Sequence, residues 1–142
     1  MTTPEPSPVA ARPSPELAPT EVVLAQLAAL QREPYDGAGA GAGLRGAWEF
    51  ASPGNRAATG PVEQFADMVR GPVYGGLLGH RAVQLGPLVQ AGDDAQQEVL
   101  LVTALDETIG FTWVLSLQQD PPHTDCWMTD GVLRHPDRSG TP

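Results

Sequence analysis

Glu98-Val-Leu-Leu-Val-Thr-Ala-Leu105, followed by Ile109-Gly-Phe-Thr-Trp-Val-Leu-Ser-Leu117, is the stretch that decides the fold. In the second segment Ile109, Phe111, Trp113, Leu115 and Leu117 share one face. Gly110, Thr112, Ser116 and Gln118 share the other, with Val114 the exception. A period of two is the mark of a strand, because successive side chains leave opposite faces of the pleat. The first segment is apolar on both sides, as expected of a central strand whose second face is also covered, for instance by a partner subunit. Outward from these, His80 to Val89 and Cys126 to Arg134 read as two flanking strands. Gly92-Asp-Asp94, Asp106-Glu107 and Asp120-Pro-Pro122 supply the turns. Everything helix-like precedes Gly79. Helices first and consecutive strands afterwards predict an α+β fold, with N-terminal helices packed on one face of an antiparallel sheet of about four strands.

The helical half divides at its prolines and glycines. A first helix is expected from Thr20, as N-cap, to Arg32, with Val22, Val23, Leu27 and Leu30 at helical spacing and Glu21 in the first turn. Glu33-Pro34 ends it. A second helix is expected within Asp36 to Ala51, irregular at its start and firm over Leu44 to Ala51. Gly37, Gly39, Gly41 and Gly43 each weaken it, by about 1 kcal/mol relative to Ala. Ser52-Pro-Gly54 is read as its stop. A third helix starts at Gly60-Pro61, presents Val62, Phe65, Ala66 and Val69 on one face, and ends at Arg70-Gly71-Pro72. Pro72 to Gly79 is a connector.

At 142 residues the chain holds one domain, expected over residues 19–135. Residues 1–18, rich in proline, read as a disordered leader, and residues 136–142 as a loose tail. All eight basic residues are arginine and the formal net charge is −9. Nucleic-acid binding depends on cations neutralising phosphates, and no basic stripe is present, so that function is rejected. Cys126 is the single cysteine, which rules out an internal disulfide; it reads as a small strand residue. A catalytic thiol there is disfavoured because Asp125 and Asp130 would raise its pKa. The N-terminus has neither a basic nor an apolar leader region, and no stretch reaches membrane-spanning length. The expected compartment is the cytoplasm, with no membrane association.

The block Trp48-Glu-Phe-Ala-Ser-Pro-Gly-Asn-Arg56, with Gly60-Pro-Val-Glu-Gln-Phe-Ala-Asp-Met-Val-Arg70 after it, resembles a family of small domains of unknown function in bacteria and plastid-bearing eukaryotes. That family is similar to the nuclear transport factor 2-like, or cystatin-like cone, superfamily. The resemblance spans about Thr20 to Arg134. It implies a curved sheet wrapped around the helices, cone-like, with a pocket at its mouth. The Gly-Ala repeat departs from the family's regular second helix.

Cone-fold enzymes place an Asp/His or Tyr/Asp pair inside the cone, where desolvation shifts pKa values. Of the histidines here, His123 sits in a turn and His135 in the loose tail, both solvated. His80 opens the first strand, at a possible pocket rim. His123 and Cys126 would point to opposite faces of a strand, so no metal site is expected, and no cofactor. The ligand-binding candidates are Trp48, Tyr74, His80, Phe111, Trp113 and Trp127, whose rings would line an apolar pocket. Set against this, aromatics at alternating strand positions are also what a plain core requires.

These residues predict a non-enzymatic binding or accessory module with an apolar pocket for a small ligand, forming a homodimer through its sheet. A small isomerase or hydrolase using His80 or a carboxylate as base is one alternative, resting on fold analogy. A docking adaptor acting through the proline-rich leader is another.

Overall fold

A computed structural model describes residues 12–136. Most of the expected leader and nearly all of the expected tail lie outside the described residues. Leu17, within the stretch read as leader, is partly buried against the core.

The first helix, α1, spans Pro19–Gln31. Its N-cap is Ala18, two residues before the expected Thr20, because Pro19 occupies the first helical position, where its missing N–H costs nothing. Glu21 reaches back to accept from the Ala18 N–H at 2.8 Å. Thr20 is therefore no cap; its hydroxyl donates instead to Gln97 Oε1 at 2.8 Å. α2 is short, Ala42–Trp48. The segment that the sequence reads as the helix stop is a helix start: Ser52 caps α3, Pro53–Thr59, its Oγ accepting from Asn55 N at 3.2 Å, with Pro53 at the first position. α4 runs Val62–Arg70, followed by a single 3₁₀ turn at Gly75–Leu77.

The glycine-rich stretch before α2 has a packing reason. Glu33 is buried, and its carboxylate accepts from Gly43 N at 2.6 Å. A Cβ on Gly43 would overlap the Ala29 carbonyl oxygen of α1 and crowd the Glu33 side chain. Gly39 approaches Glu33 and Pro34 just as closely. The chain thus wraps over the end of α1 and crosses it in α2, which only glycine permits at Gly43.

The sheet comprises β1, Ala82–Ala91; β2, Asp94–Val102; β3, Thr108–Leu117; and β4, Trp127–Arg134. It is an antiparallel meander in the order β1-β2-β3-β4, curved and unclosed. The fold is α+β, with the helices against one face of the sheet. Two irregularities bend the sheet: one in β1 between Leu85 and Leu88, at Gly86-Pro87, the other in β4 at Asp130, beside Gly131. A parallel bridge joins Ala51 to Thr129, tying the end of the α2 region to β4.

The core lies between α1 and the sheet's inner face. Val22, Val23, Leu27 and Leu30 meet Val99, Leu101, Phe111, Trp113 and Leu115, all buried. β2 is less apolar than its sequence run suggests: its outward face carries Asp94, Gln96 and Glu98 before Leu100 and Val102. The expected doubly apolar character holds only at its C-terminal end.

Candidate functional site

A cavity of about 200 Å³ opens between α1, α2, α3, α4 and the β3–β4 side of the sheet. Its floor is set by a buried amide on α1. Gln26 occupies the same helical face as Val23, Leu27 and Leu30, so its side chain is carried into the core. There Gln26 Oε1 accepts from Trp113 Nε1 at 2.8 Å and from the Thr129 hydroxyl, while its Nε2 donates to the Ala47 carbonyl at 2.9 Å. One residue thereby joins α1, α2, β3 and β4. A buried network satisfied in this way fixes a single arrangement, since any broken bond would leave an unpaired polar group in an apolar surround.

The cavity walls are mainly apolar: Leu30, Ala47 and Leu77 inside, Phe65, Met68 and Val132 toward the mouth. Tyr74 closes one side, its hydroxyl donating to the Val132 carbonyl at 2.8 Å. Its ring stacks on Phe111 with centroids 6.2 Å apart, and Phe111 meets Trp113 edge-on at 6.3 Å. Asn55 and Thr59 of α3 form the polar part of the rim. Asn55 Nδ2 donates to the Thr129 carbonyl at 3.0 Å, and the Thr59 hydroxyl donates to the Asn55 carbonyl at 2.9 Å.

Of the six aromatic and histidine candidates, Tyr74 and Trp113 line this cavity, and Phe111 backs them as the middle ring of the stack. The other three are elsewhere. Trp127 is buried in the core, paired with Leu117. Trp48 lies under the Arg56 guanidinium, whose carbon stands 4.0 Å from the ring centroid. Arg56 Nη2 also donates to the Trp48 and Glu49 carbonyls, so this clamp locks α2 to α3. His80 is buried outside the cavity lining. Its Nδ1 meets the Leu77 carbonyl at 2.8 Å, and its own carbonyl accepts from Gln31 Nε2 at 2.9 Å. Burial pushes the imidazole pKa below its ordinary value, against a smaller upward pull from the Leu77 carbonyl.

Gln26, Asn55, Thr59 and Thr129 were not among the sequence candidates. Gln26 carried a readable signal, being a polar residue in phase with the apolar face of a helix. The α3 residues carried none once Ser52-Pro53 was read as a stop.

Two further features lie off the cavity. His135 extends β4: its N–H donates to the Gly110 carbonyl at 2.9 Å and its ring lies over Gly110 on the sheet's outer face. There its Nε2 sits 2.7 Å from Thr112 Oγ1 and 2.9 Å from Glu98 Oε1, so it is not the loose tail residue that the sequence suggests. Cys126 is buried just ahead of β4, and burial, with Asp125 adding, pushes its thiol pKa up. Among the described residues no group of three His, Cys, Asp or Glu side chains is placed to hold a metal ion, and no helix is long and apolar enough to cross a membrane.

Comparison with known families finds that the profile of a family described as "Domain of unknown function (DUF4864)" matches residues 16–140. No curated protein and no solved structure matches the chain.

Proposed function

We propose, from the premise that this chain belongs to the DUF4864 family of domains of unknown function, that it is a non-enzymatic binding or accessory module. Its cavity receives a small apolar ligand, and it acts as a cytoplasmic homodimer assembled through the outer face of the sheet. The fold is of the nuclear transport factor 2-like cone type. The observation that carries this reading is the cavity itself, walled by apolar side chains and stacked rings and floored by the Gln26 network. Tyr74 is the single ionisable side chain among its described lining residues, which suits holding a molecule better than moving protons on it. The dimer is supported by Leu100 and Val89, which are 46% and 64% exposed on the side of the sheet away from the helices.

Native mass spectrometry of the full chain tests both parts. The expected result is a dimer carrying a small added mass. Leu100→Glu should convert it to monomer while leaving the added mass in place. A wild-type protein that stays monomeric at high concentration would remove the dimer from this reading.

A further inference from the structure

The charge, hydrogen-bonding groups and size of the cavity narrow the chemistry of its ligand. We infer that the cavity takes a small neutral molecule, about one ring in size with a short apolar substituent and a single hydroxyl, and rejects the carboxylate of the same shape. The inference rests on the pocket reading and adds the class of occupant.

Three observations carry it. The first is charge. No Asp, Glu, Arg or His side chain is among the described lining residues. The arginines of the neighbouring elements face elsewhere: Arg56 is held over Trp48, and Arg70 and Arg134 line a separate polar cleft with Tyr35, Thr103 and Glu107. An ionised ligand would shed water with no counter-charge to replace it.

The second is the direction of the hydrogen bonds. Most donors facing the cavity are committed within the protein: Trp113 Nε1 and the Thr129 hydroxyl to Gln26, the Tyr74 hydroxyl to Val132, the Thr59 hydroxyl to Asn55, and one of the two Gln26 Nε2 hydrogens to Ala47. What remains at the rim is mostly acceptor capacity, on the Tyr74 and Thr59 oxygens and Asn55 Oδ1, against one spare N–H on Asn55. With acceptors outnumbering donors there, a ligand atom reaching this rim is matched best when it donates. A hydroxyl does so; a carboxylate meets oxygen lone pairs.

The third is size. A dry apolar cavity of roughly 150 Å³ holds benzene. At about 200 Å³ this one has room for a ring and a short substituent, not for a long acyl chain.

The test uses the full chain and three probes of one shape: 4-ethylphenol, ethylbenzene and 4-ethylbenzoate. Binding is followed through the Trp113 indole N–H resonance, assigned with a Trp113→Phe sample. The phenol should bind tightest, ethylbenzene about tenfold weaker, and the benzoate weaker by more than tenfold. Met68→Trp, which places a ring in the partly exposed mouth, should abolish binding of all three while the circular dichroism stays native. If the benzoate matches the phenol, the ligand class is wrong and the pocket stands. If ethylbenzene matches the phenol, the hydroxyl requirement falls. If none of the three shifts the resonance at saturation, the pocket reading itself falls, and with it this inference. Binding undiminished in Met68→Trp places the probes elsewhere and overturns it too.

Discussion

Gln26 and His80 are both buried polar residues, and each is held by a carbonyl or side chain from another element. Their consequences differ. Gln26 has a neutral partner set and no dependence on pH. His80 is different, because burial lowers its folded pKa while the unfolded chain keeps a value of about 6.5. Below that value the unfolded chain takes up a proton that the folded chain refuses. Stability is thus fully present above it and declines as the pH falls toward the folded pKa. Urea midpoints measured between pH 8 and pH 5.5 should fall more steeply for the natural protein than for His80→Gln. Parallel slopes would show that the imidazole is not excluded from protonation in the fold.

Among the elements, the strands were legible and the helices only partly. Alternation in Ile109–Leu117 identifies β3 and its buried face, and turn residues such as Gly92 and Asp106, both at positive φ, punctuate the meander. Boundaries differ from expectation by a few residues because turn chemistry, not apolar pattern, sets them. α3 escaped because Ser-Pro both ends one helix and starts another, and the local sequence cannot say which. The glycine repeat was legible as a helix weakness but not as a crossing point, since the oxygen that excludes a side chain at Gly43 belongs to Ala29, on another helix. The cavity was least legible. Tyr74 and Trp113 stood out as rings, but their meeting with α3 depends on that missed helix. Gly43→Ala should therefore cost about 2–3 kcal/mol, an overpacking penalty, and not the small gain expected of alanine in a helix. Chemical denaturation distinguishes the two by the sign of the change.

At the level of the whole molecule, the charge is far from balanced. The formal net charge is −9, and Arg81–Asp106 is the one Arg–carboxylate pair among the described residues. Self-repulsion of the compact state is screened by salt, so raising sodium chloride from about 20 mM to about 500 mM should raise the thermal midpoint. A midpoint that falls or stays level would mean that attractive pairs outweigh the excess of carboxylates. The irregularities at Gly86-Pro87 and Asp130 and the Ala51–Thr129 bridge have an effect beyond bending the sheet. They occupy its two borders. On β1, Pro87 has no N–H to offer an incoming strand and the bulge breaks the register that one would need. On β4, the bridge holds Thr129, and the Tyr74 hydroxyl takes the Val132 carbonyl. A further strand finds no continuous ladder at either border, which works against copies growing edge to edge into a fibre.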